Sequence, residues 1–368
     1  MIEEEKDIEQ GEEIELFENY RIEVDKGQSL LRIDKFLMDR IEQTSRNKIQ
    51  QAANADCIKV NNKIVKSNYR VHPGDIIQIF LTTAPREIEI IPQDIPINIF
   101  YEDDDLLIVN KDPEMVVHPG YGNYTGTLLN ALTFHLQKQK DKDGNPLRPL
   151  MVHRIDKNTT GLLLIAKNEI SQTFLAKQFY DHDVDRTYTA FVWGDFDKME
   201  GTIEGNIGRS LKDRRVMQVF PEGDYGKHAI THWKVLFRFG YVTMIECKLE
   251  TGRTHQIRAH MKYIGHPLFN DDTYGGDKII KGTTFTKYKQ FVQNCFKILP
   301  RQALHATTLG FVHPCSRERV FFQSKLPEDM VLLREKWDGY ISYNRPPEEE
   351  ETSKDIINES KHEVSNLR

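Results

Sequence analysis

A chain of 368 residues with 39% hydrophobic and 29% charged residues is long enough for two domains and has an ordinary globular composition. No run approaches the roughly 20 apolar residues that cross a bilayer, and the amino terminus lacks the features of a signal peptide, so we expect a cytoplasmic protein. Four dispersed cysteines without a CxxC pair argue against a disulfide framework or a zinc site.

The net charge of −6 is distributed unevenly along the chain. Residues 1–18 carry −8 and residues 347–368 carry −4, which leaves +6 on residues 19–346. A mildly basic body of this kind is compatible with RNA binding. The acidic ends contain few aromatic residues, so we predict that residues 1–19 and 346–368 are disordered tails.

Residues 20–83 have the pattern of a small α+β unit. A strand from Tyr20 precedes an amphipathic helix, and a second helix follows that Thr44 or Ser45 can cap. An Asn-Asn hairpin over residues 58–65 and a final strand complete the unit. This order of elements resembles the S4 RNA-binding domain.

Four basic residues lie near the two helices of this unit and are candidates to contact RNA: Arg32, Lys35, Arg46 and Lys48. The alternative interpretation is that they form only the solvated face of a small domain.

Residues 84–98 contain three prolines and are predicted to be an extended linker. Residues 99–345 are predicted to form one larger domain, in which most strands follow one another without an intervening helix. This order favours an α+β fold on a largely antiparallel, mixed sheet over a doubly wound fold. The predicted strands are Leu106–Asn110, Leu162–Ala166, Tyr188–Trp193, Ile230–Phe237, Val242–Leu249, Leu304–Val312 and Val320–Phe322, and the predicted helices are Ile170–Tyr180 and Thr254–Ile264.

The most informative polar segment is residues 151–167. Asp156 lies there before a turn that enters a fully apolar strand, which places its carboxylate at the edge of the core. On spacing alone, Asp156 is more simply an ion-pair partner of Arg154 or Lys157.

A second polar segment, residues 249–261, is predicted to contain a helix capped by Thr254. His255 and Arg258 share one face of that helix, so Arg258 would point into a cleft. A surface arginine is the alternative. Residues five apart on a helix diverge, so His255 and His260 are not expected to bind a metal.

Tyr188, Ala190 and Val192 are predicted to share one side of a strand. A tyrosine there can stack on a nucleic-acid base, although such a residue is by default a core aromatic. His305, in a further segment of residues 301–314, is more simply a structural histidine. No GxGxxG or GxxxxGK[ST] sequence is present, so no dinucleotide or NTP cofactor is expected.

Together these segments resemble the RluA-type pseudouridine synthases, and most of all the RluD branch, over about residues 20–340. His153-Arg-Ile-Asp-Lys-Asn-Thr-Thr-Gly resembles the HRLDxxTSG motif of the family. A block at residues 107–120 resembles its first motif, with Asp112 inserted or substituted between the usual Lys and Pro. The remaining resembling blocks are Arg186-Thr-Tyr188, Thr251 to Arg258 with Gly265-His-Pro267, and Arg301 to Ala306.

The resemblance implies an RNA-modifying enzyme that isomerises uridine to pseudouridine without a cofactor or metal. It implies that Asp156 is the catalytic carboxylate, Tyr188 the active-site tyrosine and Arg258 the basic partner of Asp156. The branch implies large-subunit ribosomal RNA as the partner, and we expect a monomer without membrane contact. Residues 278–300 look like an insertion relative to the family pattern.

A buried carboxylate stays ionised beside a guanidinium, so we expect an Asp156–Arg258 pair, plausibly bidentate. The target uridine must leave its stack, and Arg154 is a candidate to fill the vacated space or to hold a phosphate. A covalent adduct of the carboxylate and a glycal route both remain open. The alternatives are a non-catalytic S4-type RNA-binding or ribosome-assembly protein, and a glycosidase, which lacks a second acid in a comparable motif.

Overall fold

The structure is a computed structural model, and it describes residues 17–41, 44–81, 90–119, 123–140, 144, 146–210, 212–213 and 216–344. The chain divides into two compact units, residues 1–89 and residues 90–368. Most of both predicted tails lies outside the described residues, as does the part of the predicted linker before residue 90. No described helix combines the length and the apolar character needed to span a bilayer.

The described part of the first unit contains two helices and six strands: β1 (Phe17–Glu23), β2 (Leu31–Arg32), α1 (Ile33–Arg40), α2 (Arg46–Asn54), β3 (Ile58–Val60), β4 (Lys63–Ile64), β5 (Arg70–Val71) and β6 (Ile76–Leu81). An antiparallel sheet has the order β1-β6-β3-β4, and β2 pairs with β5. The apolar face of α1 is buried against this sheet, as its helical spacing predicts. The strand predicted from Tyr20 begins earlier, at Phe17.

Local chemistry explains two boundaries in this unit. The Ser45 hydroxyl accepts a hydrogen bond from the Lys48 amide at 3.3 Å, which caps α2 as predicted. Asn61 and Asn62 have φ of 48° and 64°, the left-handed values that a two-residue hairpin turn needs. The predicted Asn-Asn hairpin is therefore confirmed.

The second unit contains eleven strands and five helices among the described residues: β7 (Ile99–Glu102), β8 (Leu106–Lys111), α3 (Leu128–Leu136), β9 (Leu150–Met151), β10 (Thr160–Ala166), α4 (Glu169–Tyr180), β11 (Asp185–Trp193), β12 (Glu200–Arg209), β13 (Met217–Phe220), β14 (Lys227–Arg238), β15 (Val242–Leu249), α5 (Gln256–Tyr263), α6 (Thr286–Ile298), β16 (Leu304–Val312), β17 (Arg319–Gln323) and α7 (Glu328–Asn344). The strands form one sheet in the order β13-β12-β14-β15-β11-β16-β10-β8-β7, with β17 beside β16 and β9 beside β10.

Every described pairing in this sheet is antiparallel except that of β10 with β16. The α+β fold with a largely antiparallel, mixed sheet is therefore confirmed. Three helices were not predicted, namely α3, α6 and α7, and neither were four of the strands, β7, β9, β12 and β13.

The two faces of the sheet have separate cores. On β11, Tyr188, Ala190 and Val192 pack into one core, whereas Phe191 and Trp193 pack into another on the opposite face, as the strand period predicts. Helix α6 lies in the segment 278–300 that resembled an insertion, and with α7 it covers the opposite face of the sheet. This segment therefore completes the hydrophobic core.

The parallel contact of β10 with β16 requires a glycine. Gly161 has φ of +109°, and a Cβ there would lie 2.2 Å from the carbonyl oxygen of Ala306.

His305 links two hydroxyl groups next to this contact. Its Nδ1 is 2.9 Å from the Thr160 hydroxyl and its Nε2 is 2.8 Å from the Ser324 hydroxyl. Burial, and secondarily the charge of Arg301, lowers the pKa of His305 to about 4, so this linking imidazole is neutral at physiological pH.

We predict that His305 contributes stability above pH 6.5 that is lost as the pH falls from 6.5 to about 4, because only the unfolded chain binds the proton in that window. The slope contributed is at most about 1.4 kcal/mol per pH unit. Urea unfolding of wild type and His305→Asn between pH 6.5 and 5 measures it. The variant should be less stable and have a shallower slope; equal slopes would contradict the prediction.

Candidate active site

A cleft of about 580 Å³ opens on the face of the sheet where Tyr188 lies. It is bounded by the loop between β9 and β10, by β11, by the end of β15 and by the start of α5. Its described lining contains one acidic residue, Asp156, and four arginines, Arg154, Arg186, Arg253 and Arg258. A cleft with this excess of positive charge favours an anionic ligand.

Asp156 and Arg258 meet at the bottom of this cleft. Arg258 Nη1 donates to Asp156 Oδ2 at 3.1 Å. The opposite edge of the same guanidinium donates two hydrogen bonds to Asp271, from Nε at 2.7 Å and from Nη2 at 2.8 Å. The exposed fraction of the side chain rises from 0% at Asp271 through 6% at Arg258 to 18% at Asp156, so Asp156 is the member of the chain that a ligand can reach.

The prediction of a bidentate Asp156–Arg258 pair is wrong, because the bidentate partner of Arg258 is Asp271. Burial alone would lower the pKa of Arg258, but the two carboxylates raise it above its ordinary value. The guanidinium therefore stays charged and keeps one N–H for Asp156. Among the described residues, neither Arg154 nor Lys157 forms an ion pair with Asp156, so the simpler interpretation of its spacing is also wrong.

The prediction that Thr254 caps the helix is also wrong. Helix α5 starts at Gln256, and the capping position is His255, which has φ of +53° and makes no capping bond through its side chain. Gln256 instead satisfies this end of the helix, since its side-chain oxygen accepts from the Arg253 amide at 2.9 Å and from the Thr251 hydroxyl at 2.8 Å. A left-handed non-glycine residue beside the ion pair is the kind of local strain that clusters at functional sites.

His255 lies beside the Asp156 carboxylate, but the hydrogen bond to that carboxylate comes from Arg258. Its Nε2 is 3.9 Å from Asp156 Oδ2, and its Nδ1 is 3.1 Å from the hydroxyl of Tyr274. Burial lowers the pKa of His255, so the imidazole is neutral near pH 7 and Arg258 is the cation that faces Asp156. The Arg258 guanidinium also stacks over the Tyr274 ring at 5.1 Å.

The loop that contains Asp156 is held by two buried cations from other parts of the chain. Lys111 Nζ donates to the carbonyl oxygens of Lys157, Asp112 and Met115 at 2.8, 2.6 and 3.0 Å. Burial, and secondarily the charge of Arg301, lowers the pKa of Lys111 to about 7, whereas the three carbonyls favour its ammonium form. Asp112, the departure from the family motif, thus contributes a carbonyl to this contact.

Arg301 is the second cation. Its Nη1 donates to the Asn158 carbonyl at 3.1 Å, and its other nitrogens bind the Asp329 carboxylate at 2.7 and 2.9 Å. Lys111 and Arg301 lie in segments that resemble family motifs, but no role was predicted for them from the sequence. Their role is visible only in the fold, because the carbonyls that they bind belong to distant segments.

The other residues predicted for the site lie in the same cleft. Tyr188 is 6% exposed and reaches the cleft from β11. Burial raises the pKa of Tyr188, so its phenol is neutral at physiological pH. Arg154 is exposed at the edge of the cleft. The structure therefore brings Asp156, Tyr188, Arg258 and Arg154 together.

The candidate RNA-binding residues of the first unit are of two kinds. Arg32 and Arg46 bind the fully buried Asp34, with Arg32 Nη2 at 2.9 Å and Arg46 Nε at 3.0 Å from Oδ2. Burial would raise the pKa of Asp34, but hydrogen bonds from these arginines and Gln50 lower it to about 2. Lys35 and Lys48 are exposed. The arginines therefore have a structural role in addition to any contact with RNA.

Sequence analysis missed Asp271. It follows the Gly265-His-Pro267 block within a turn, next to a second aspartate, Asp272. The backbone amides of Thr273 and Tyr274 donate to Asp271 Oδ1 at 3.1 and 3.2 Å, which leaves its carboxylate fixed towards Arg258. No sequence signal separates the two aspartates, whereas the structure buries one and exposes the other.

We predict that Asp271→Asn lowers the free energy of unfolding by about 3–5 kcal/mol, because it removes the fully buried charge that compensates Arg258. The exposed neighbour provides a matched control, and Asp272→Asn should stay within about 0.5 kcal/mol of wild type. Urea unfolding at pH 7.5 measures both. Equal stabilities of the two variants would contradict the role given to Asp271.

Two family models match this chain, one in each of its two compact units. The family model described as "RNA pseudouridylate synthase" matches residues 105–263, and the "S4 domain" model matches residues 31–77. A human protein titled "Human RNA Pseudouridylate Synthase Domain Containing 4" has a similar fold, with a TM-score of 0.50 at 20% identity. That similarity covers 66% of this chain and 93% of the human chain.

Sequence relatives extend the match to most of the chain. An "Uncharacterized RNA pseudouridine synthase" of Chlorobaculum parvum is 47% identical over 317 residues, which are 86% of this chain and 96% of that relative. The "Ribosomal large subunit pseudouridine synthase D" of Zymomonas mobilis is 38% identical over 304 residues, 82% of this chain and 92% of the relative. At this identity and coverage, the chain belongs to the RNA pseudouridine synthase family and contains an S4 domain in its first unit.

Proposed function

We propose that this protein isomerises specific uridines to pseudouridine in large-subunit ribosomal RNA, with Asp156 as its catalytic carboxylate. The observation that supports this most strongly is the position of Asp156. Its carboxylate is the only acidic group in the described lining of a basic cleft, and it is held by a guanidinium that a second, fully buried carboxylate fixes.

The reaction needs such an arrangement. The N1–C1′ bond of the uridine breaks, the uracil rotates, and C5 bonds to C1′ while the hydrogen on C5 is lost as a proton and N1 gains a proton. An ionised carboxylate beside C1′ stabilises the positive charge that develops on the sugar as N1 departs. Arg258 orients Asp156 without covering it, since it uses one N–H for this contact.

Tyr188 supports the base in this proposal. Its ring reaches the cleft from a rigid strand whose neighbouring residues on that side are buried, so it offers a fixed apolar face for the uracil. Since burial keeps the phenol neutral, Tyr188 is also a possible proton donor or relay at C5 or N1.

The uridine has to leave its stack to reach Asp156, at a cost of a few kcal/mol. Arg154 is adjacent to Asp156 in sequence and exposed at the edge of the cleft, which supports its assignment as the residue that fills the vacated space. The excess positive charge of the described cleft lining would offset part of the cost by attracting the phosphate backbone.

The substrate RNA is inferred from three features. The chain contains an S4 domain, residues 19–346 carry a net +6, and relatives such as that of Zymomonas mobilis are named for the large ribosomal subunit. Arg32, Lys35, Arg46 and Lys48 are proposed to contact the RNA from the S4 unit. We also propose that the protein is a cytoplasmic monomer.

We predict that Asp156→Asn lowers the rate of tritium release from 5-tritiated uridine in RNA by more than about 100-fold. The variant should bind RNA as tightly as wild type and should keep its melting temperature within a few degrees, because the new side chain still accepts the bond from Arg258. The matched control is Asp104→Asn, an exposed aspartate outside the cleft. Full tritium release by folded Asp156→Asn would reject Asp156 as the catalytic carboxylate, whereas RNA binding without tritium release by wild type would support a non-catalytic RNA-binding protein.

The substrate assignment has its own test. We predict that deletion of the gene removes one or a few pseudouridines from large-subunit ribosomal RNA, because the cleft accepts a single extruded base. Pseudouridine sequencing of ribosomal RNA from the deletion strain and from a strain complemented with wild type or Asp156→Asn measures this. Unchanged ribosomal sites, together with sites lost in another RNA, would reject the ribosomal substrate but keep the activity.

A further inference from the structure

Arg186 is a buried cation with no anionic partner among the described residues. It lies on β11, is 8% exposed, and lines the cleft. Among the described residues, no carboxylate forms an ion pair with it and no group accepts a hydrogen bond from it; its Nε is buried without a partner. A buried charge without a partner is costly, so its retention indicates that an anion outside the protein compensates it.

The neighbours of Arg186 position the guanidinium but do not neutralise it. Its Cζ lies 5.1 Å from the centre of the Phe179 ring, and on another side a Cβ added to Gly252 would lie 3.1 Å from Nη1. Gly252 therefore leaves room for the terminal nitrogens at the cleft. Neither Phe179 nor Gly252 provides an acceptor from its side chain.

His153, a titratable group that feels the charge of Arg186, is also neutral. The His153 ring stacks on Phe179 at 4.6 Å, and its Nε2 accepts a hydrogen bond from the Leu164 amide at 2.9 Å, so the proton is on Nδ1. Burial, and secondarily the charge of Arg186, lowers the pKa of His153 to about 3. Neutral contacts from Leu164 through His153 and Phe179 thus position the Arg186 guanidinium.

Arg186 lies on the same side of strand β11 as Tyr188, at the proposed reaction site. Arg186 and Tyr188 are two residues apart on β11, so they project from the same face of the sheet, with their Cα atoms about 7 Å apart. Both line the cleft that contains Asp156. A nucleotide with its base at Tyr188 and its sugar at Asp156 therefore has a backbone phosphate within reach of the Arg186 terminal nitrogens.

We propose that Arg186 binds the phosphodiester group next to the extruded uridine, through Nη1 and Nη2, and so holds the ribose against Asp156. A guanidinium matches the geometry of two phosphate oxygens and is the side chain best suited to such a contact. This inference rests on the proposed function, because it takes a uridine in RNA as the substrate. It assigns Arg186 a role separate from that of Arg154, which is exposed at the edge of the cleft.

The first test separates a ligand-binding arginine from a structural one. Arg186→Met should not lower the melting temperature, because it removes a buried charge that has no protein partner. It should weaken binding of a short RNA hairpin containing the mapped uridine by about 10- to 100-fold. The slope of log Kd against log salt concentration should fall in magnitude by about 0.7–0.9, the value for one phosphate. The control is Arg238→Met, a half-buried arginine paired with Asp195 outside the described lining of the cleft.

The second test locates the phosphate. Neutral methylphosphonate is placed at one position at a time on each side of the uridine in the hairpin. At one position adjacent to the uridine, the methylphosphonate should weaken hairpin binding by wild type by the same factor as the Arg186→Met substitution does. At that position it should not weaken hairpin binding by Arg186→Met any further. Equal losses in both proteins at every position, or a lowered melting temperature with unchanged RNA affinity, would overturn the proposal for Arg186.

Tritium release from the unmodified hairpin is measured in parallel. If wild type releases no tritium, the proposed function fails. If wild type turns over and Arg186→Met binds the hairpin as tightly as wild type, only the Arg186 proposal fails.

Discussion

The Arg258 guanidinium divides its hydrogen bonds between two carboxylates, and the geometry of the site depends on that division. Asp271 takes two bonds in a fully buried position, which fixes the plane of the guanidinium, and Asp156 takes the one that remains. If Arg258 bound Asp156 alone, the same contact would have to orient the Asp156 carboxylate and also leave it accessible from the cleft. With three groups, the buried carboxylate of Asp271 provides the orientation, so the carboxylate of Asp156 remains open to the cleft.

Buried groups from other parts of the chain also hold the backbone of the Asp156 loop. The loop has no regular secondary structure, and its backbone carbonyls at Lys157 and Asn158 are bound by Lys111 and Arg301, which lie on distant segments. Three of the segments that resembled family motifs, those that contain Lys111, Arg258 and Arg301, therefore meet at this loop for a physical reason. Three buried cations satisfy the carbonyls and the carboxylate that a short, rigid loop would otherwise leave without partners.

The sequence predicted the parts of the fold that depend on local periodicity. Strands β15 and β16 were predicted to the residue, because apolar runs bounded by turns define them. Strand β12 was missed because glycines interrupt its pattern, including Gly201, where a Cβ would lie 2.7 Å from Trp233. Helix α7 was missed although its buried residues have helical spacing. Asp271 was beyond prediction, since its role depends on tertiary burial that adjacent Asp272 does not share.

A structure of the protein bound to an RNA hairpin that carries 5-fluorouridine at the target position tests the central claim most directly. The account predicts an extruded base against Tyr188, with the Asp156 carboxylate within about 3.5 Å of C1′ or bonded to the nucleotide. Arg258 should keep both bonds to Asp271. A base bound outside the cleft, or an Asp156 carboxylate turned away from the sugar while Arg258 binds a different group, would contradict it.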